Sequence, residues 1–176
     1  FSAPIIDISA KNLPEQLLIL QHDSDAFQRW EAAQQLMVQA VLGALAQAEL
    51  PAAPLPAELL AALRTVLRDE SLDAGLRALV LTLPAESYLA EQVQVLDAQK
   101  LHRLREAMRA QLAHALHSDW LAVFAAHQDT GAYAPDAIPA GRRALANLAL
   151  AYLCLQAVAT GDSVQQGKTL QRFKDA

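Results

Sequence analysis

From Asp25 to about Glu49 the sequence spells one long amphipathic helix, and the rest of the chain has to cover it. Phe27, Trp30, Ala33, Met37, Val41 and Leu45 recur at spacings of three and four. That spacing places them on one face of a 3.6-residue helix. Ser24 or Asp25 supplies a side-chain oxygen for the unpaired backbone N–H groups of its first turn. The two largest rings lie in the first turns, where they are expected to plug against neighbouring helices. Burying Trp30 should contribute on the order of 2–3 kcal/mol by area, so Trp30→Ala is expected to cost about 3–5 kcal/mol.

The same period continues down the chain. Asn12 and Pro14 open a short helix that ends near Asp23, with Leu17, Leu18 and Leu20 packing; Asn caps, and Pro is tolerated in a first turn. Pro51, Pro54 and Pro56 make the clearest break. A third helix runs from Pro56 to about Asp69, with Leu59, Leu60, Leu63, Val66 and Leu67 inward. Asp73 caps a fourth, Ala74 to Thr82, and a short helix follows around Glu86 to Gln92. Asp97 caps a long helix to about Leu116, whose stripe is Leu101, Leu104, Met108, Leu112 and Leu116. Trp120, Leu121, Val123 and Phe124 belong to another. Gln128 to Gly141 reads as a loop, Arg142 to Thr160 as the most apolar helix, stopped at Gly161, and Asp162 caps a last one.

Only Phe1 to Ala10 departs from this pattern, since Pro4 is followed by Ile5, Ile6, Asp7 and Ile8, a short extended segment. The expected fold is all-α: an irregular antiparallel helical array of the α-solenoid or superhelical type, with a short extended N-terminal segment. Short connections favour antiparallel neighbours, and helices of uneven length favour a curved stack over a closed bundle. Residues 13–176 form the helical domain, and residues 1–12 are the expected linker from an upstream β domain.

Composition narrows the function classes. The chain has 176 residues and a net charge of −5 with both signs interspersed. No basic stripe points to nucleic acid. The single cysteine, Cys154, cannot close an internal disulfide, so a reducing, cytoplasmic setting is expected. Cys154 reads as a small buried apolar residue. The longest apolar stretch, Ala144 to Thr160, contains Asn147 and Gln156 and falls short of the ~20 apolar residues of a membrane span; it reads as a buried helix. No membrane partner is expected.

Few constellations carry chemistry. His114 and His117 lie three apart on a helix with Asp119 close behind, and His127 is the candidate third ligand. There is no H-E-x-x-H, hence no Glu placed as general base for zinc hydrolysis. The pair reads as exposed or helix-terminal histidines. Asp69 and Glu70 read as solvated carboxylates at a helix end. Arg29 and Trp30 could anchor a partner; the simpler reading is that Trp30 fills core while Arg29 pairs with a nearby acid.

Four stretches, in order, carry a resemblance. They are Asp25-x-Phe27-x-Arg29-Trp30-x-Ala32-Ala33-Gln34; Val66 to Asp73 running into Leu81-Thr82-Leu83-Pro84; Leu104-Arg105-Glu106-Ala107; and Gly141-Arg142-Arg143-Ala144-Leu145-Ala146-Asn147. Together they resemble the helical C-terminal domain of bacterial zinc aminopeptidases of the aminopeptidase N (alanyl aminopeptidase) family, from Asp25 to about Cys154. The resemblance implies a parent enzyme that removes N-terminal residues from peptides. Its zinc sits on H-E-x-x-H plus a downstream Glu, and a Gly-x-Met-Glu-Asn motif holds the substrate amine. Neither motif occurs in this chain.

The resemblance therefore assigns no catalytic, cofactor-binding or metal residue here. It implies a non-catalytic helical region, the first part of a larger helical domain, that shapes and restricts access to the active site. The implied partners are the catalytic and β domains of the same polypeptide and the parent's peptide substrates. Such a piece should leave apolar surface uncovered near its C-terminal end. The alternative is a free-standing α-solenoid module that binds a protein or peptide.

Overall fold

The computed structural model describes residues 12–128 and 134–174. The expected extended segment at Phe1 to Ala10, and Gly131, lie outside them. Among the described residues every regular element is a helix: α1 Leu13–His22, α2 Ala26–Leu45, α3 Ala57–Arg68, α4 Ala74–Leu81, α5 Glu86–Glu91, α6 Ala98–Ala115, α7 His117–Ala126, α8 Ala137–Thr160 and α9 Ser163–Lys174. The all-α expectation holds.

The caps fall where the sequence put them. Oδ1 of Asn12, Asp25, Asp73 and Asp97 accepts from the backbone N–H of Glu15, Phe27, Leu76 and Lys100 respectively. Asp162 Oδ1 accepts from Val164 and Gln165. Each satisfies an N–H that the helix itself leaves unpaired. Gly161 closes α8 at φ 70°, a left-handed conformation that a Cβ disfavours.

Two boundaries differ from expectation. α2 stops at Leu45, not Glu49, because Lys100 Nζ donates to the carbonyls of Leu45 and Gln47 and holds the chain end there. α8 begins at Ala137, not Arg142. Pro139 lies in its first turn, where a missing N–H breaks no helical bond. The last five residues of the expected loop are thus helix.

The buried face of α2 is also rotated from the expected stripe. It comprises Arg29, Ala32, Ala33, Leu36, Met37, Val41 and Ala44. Phe27 is 59% exposed and Trp30 is half-buried, with their ring centroids 5.6 Å apart at the edge of the core. The reason is Arg29, whose buried guanidinium turns the helix toward α1. Leu18, expected to pack, is exposed as well, and Leu60, expected inward, is only partly buried. The α6 stripe is buried as expected.

The tryptophan that fills the core is Trp120, fully buried. Its ring stacks on Tyr152 of α8 at 4.7 Å and 17°, and its Nε1–H donates to Leu112 O at 3.0 Å. Burial pushes the Tyr152 hydroxyl up to about 12.

α8 is the central element, packed most extensively on α4 and α7 and also against α6 and α9. With 24 residues it is, by length and composition, long enough and apolar enough to cross a membrane, contrary to the shorter reading above. In this fold its Leu145, Ala149 and Leu153 are fully buried against the neighbouring helices. Its crossing with α4 is set by two glycines: a Cβ on Gly141 would stand 2.8 Å from Gly75 N and 3.2 Å from Gly75 Cα. Both of those are backbone atoms that cannot swing away. Near the last helices Val158, Val164 and Leu170 are exposed.

Two outcomes follow. Trp120→Ala should cost about 3–5 kcal/mol in urea unfolding, and more than Trp30→Ala; equal costs would put the anchor at the wrong ring. Gly141→Ala should destabilise by about 1–3 kcal/mol through forced separation of α4 and α8. Gly43→Ala, with nothing within 4 Å of its added Cβ, should instead stabilise by roughly 0.5–1 kcal/mol.

Candidate functional site

Among the described residues the buried charged side chains are Arg29 of α2, Arg77 of α4 and Asp119 of α7, which bond to the end of α1, the end of α3 and one face of α3 respectively. Arg29 is 5% exposed; its Nε donates to Leu20 O at 2.9 Å and its Nη2 to Gln21 O at 2.7 Å. Asp69 stands 3.8 Å away. The expected acid partner of Arg29 is therefore Asp69, although the carbonyls at the end of α1 lie closer. Asp69 itself is held by Ser71, whose hydroxyl and N–H both donate to Oδ1. The Ser71 hydroxyl is the main reason the carboxyl sits below its ordinary value; burial opposes this, while the Ser71 N–H, Arg29 and Arg77 reinforce it.

Asp119 of α7 is buried between two arginines of α3, with Arg64 Nε at 3.1 Å from Oδ2 and Arg68 Nε at 2.6 Å from Oδ1. Arg64 and Arg68 are four apart, so one helical face presents both to the same carboxylate. Arg77 of α4 is 5% exposed; its Nη1 donates to Leu67 O at 3.2 Å and its Nη2 lies 3.1 Å from His127 Nε2. Since arginine only donates, His127 Nε2 accepts, and its Nδ1–H donates to Val123 O at 2.9 Å. Burial pulls the Arg77 guanidinium below its ordinary value.

This geometry does not suit zinc. Asp119 is committed to Arg64 and Arg68, His127 to Arg77 and Val123, and His114 is exposed beside Gln156. His117 Nδ1 is buried without a partner. Among the described residues no group of three or more His, Cys, Asp or Glu side chains is placed to hold a metal ion. Cys154, half-buried, lies 3.2 Å from Thr169 Oγ1. Sequence reasoning missed Arg77 and the Asp119 cluster. The i, i+4 arginine pair was its only signal.

A family described as a domain of unknown function with ARM repeats (DUF3458_C) matches residues 14–176. The chain belongs to this family. Its similarity to aminopeptidase N bears out the resemblance carried by the four stretches. It is 32% identical over 155 residues to aminopeptidase N of Escherichia coli K12, covering 87% of this chain and 18% of that protein. Against aminopeptidase N of Haemophilus influenzae Rd it is 35% identical over 156 residues, with the same coverage of each. The chain thus spans less than a fifth of the length of these relatives. The fold is also similar to that of the solved Legionella pneumophila aminopeptidase A in complex with aspartic acid. There the TM-score is 0.77 at 24% identity, over 96% of this chain and 20% of the other.

The Ser71–Asp69 contact has a pH signature. The folded carboxyl lies below 3.8, so its stabilisation is fully present above pH 3.8 and is lost as pH falls through the lower folded value. Ser71→Ala should raise the Asp69 titration in carboxyl NMR and move acid unfolding to higher pH. An unmoved Asp69 would remove the hydroxyl as the cause.

Proposed function

We propose that this chain is a non-catalytic helical region of a zinc metallo-aminopeptidase, shaping and restricting access to an active site carried elsewhere in the same polypeptide. The observation that supports this reading most is the sequence similarity to aminopeptidase N over 87% of the chain. The reading extends to peptide substrates trimmed from their N-termini, a cytoplasmic setting, and a boundary near residue 12 with an upstream β domain. The zinc ligands lie outside this chain. When bound, the metal lowers the pKa of its water and polarises the scissile carbonyl.

What this chain contributes is shape. Its buried charges are tied to one another, to helix ends or, for Arg77, to His127, and the contacting Glu86–His102 pair lies at the surface with side chains 42% and 60% exposed. Its core of leucine, alanine and a stacked Trp120–Tyr152 pair gives a firm wall. A wall of this kind discriminates by excluding bulk, so that chain ends pass and folded surfaces do not.

The purified chain should turn over no aminoacyl-p-nitroanilide, with or without added zinc. A longer polypeptide that includes it and the adjoining domains should do so and should lose activity to a chelator. Turnover by the chain alone that survives repurification, or an inactive longer polypeptide, contradicts the proposal.

A further inference from the structure

Arg77 is charged, buried and short of partners. Of its five N–H donors the structure commits one to Leu67 O and one to His127 Nε2, both neutral acceptors. Its Nε is buried with no acceptor. Among the described residues no carboxylate lies within 4 Å of the guanidinium, while Arg29, Arg64 and Arg68 each have one. Glu70, Asp69 and Asp73 act on it only at longer range. A buried cation without a contacting anion is expensive to keep.

The same side chain lines a recess of about 190 Å³ between α3, α4 and α7. One wall is apolar, made by Leu67, Ala122, Val123 and Ala126; Arg68, Glu70, Asp119 and His127 complete the lining. Asp119 lies beyond 4 Å of the Arg77 guanidinium and accepts instead from Arg64 and Arg68. Glu70 is exposed.

We propose that this recess is a carboxylate-binding site, with Arg77 holding the carboxylate and the apolar wall taking a short aliphatic stem. Guanidinium and carboxylate match in charge and in planar geometry. The recess has room for a carboxylate carried on two or three methylenes, and a hydrated phosphate would make no use of the apolar wall. An acidic side chain and a peptide C-terminus offer the same group. His127 touches Arg77 and therefore reports on the site. This inference does not depend on the aminopeptidase reading.

The test is an NMR titration of the 176-residue chain, following its five histidine rings. The probes are sodium butyrate, butyramide, sodium phosphate and sodium chloride at matched ionic strength. Butyrate should move the His127 signals saturably and leave those of His22 and His102 in place; butyramide and chloride should not move them. N-acetylglutamate α-amide and N-acetylalanine carry the carboxylate on a side chain and at a terminus. The tighter of the two names the source, and equal affinities mean that the site reads the carboxylate alone.

Arg77→Gln should weaken butyrate at least tenfold. Because that change also removes the contacts to Leu67 and His127, Ala122→Phe is the second variant. It fills the recess from the exposed face of α7 and leaves Arg77 in place, and it should abolish the shift. An unmoved His127, an equal response to butyramide, tighter binding of phosphate, or an unchanged shift in Ala122→Phe would each overturn the proposal.

Discussion

The close crossing of α4 and α8 is the constraint on which the rest of this structure depends. At Gly141 the two backbones approach so nearly that a Cβ would stand 2.8 Å from Gly75 N, while a Cβ on Gly75 would meet the capping Asp73 Oδ1 at 2.9 Å. That approach lets Tyr152, further along α8, reach the Leu81 carbonyl at the end of α4 at 3.4 Å. It also sets the depth at which Trp120 stacks on Tyr152 from α7. A helix that carries apolar residues on most of its faces has to be surrounded. α8 meets that demand by taking α4, α6, α7 and α9 as neighbours.

A second device recurs at the ends of five helices. Every helix leaves carbonyls unpaired at its C-terminus, with partial negative charge. Here a cation from another helix often supplies the donors. Arg29 serves α1 at Leu20 and Gln21, Lys100 serves α2 at Leu45 and beyond it at Gln47, and Arg77 serves α3 at Leu67. Arg64 serves α6 at Ala115, and Arg142 serves α7 at Ala126. Each such contact ties one helix to the end of another, and those of Arg64 and Lys100 join residues more than 50 positions apart. Of Arg29, Arg64 and Arg77, all buried or half-buried, Arg77 alone has no carboxylate in contact among the described residues.

Local signals made much of this legible from the sequence. The caps at Asn12, Asp25, Asp73, Asp97 and Asp162 need only a side-chain oxygen and the next turn of backbone, so they read correctly. The α6 stripe read correctly because its five large residues leave no rival face. The α2 stripe did not. Its alanines at 32, 33 and 44 are buried while Phe27 is exposed and Trp30 half-buried, and the buried arginine at position 29 lies on the alanine face. Pro139 was read as loop because proline breaks a helix interior but not a first turn. The corner of Arg77, Asp119 and His127 was invisible because its members lie on α4, α7 and the α7 end, and no local pattern encodes that meeting. Of the histidines that spacing made candidates, His127 hydrogen-bonds Arg77 and Val123, His114 is exposed, and His117 buries an unpartnered Nδ1.

Native-state amide hydrogen exchange tests most directly the claim that α8 holds the array together. The amides of α8 from Leu145 to Leu153 should be among the slowest in the chain, and those of α4 and α7 should exchange through the same global opening. α9, whose contacts run only to α8 among the stronger pairings, should open earlier. Rapid exchange along α8 while α2, α3 and α6 stay protected would contradict the account, because the core would then stand without the helix said to organise it.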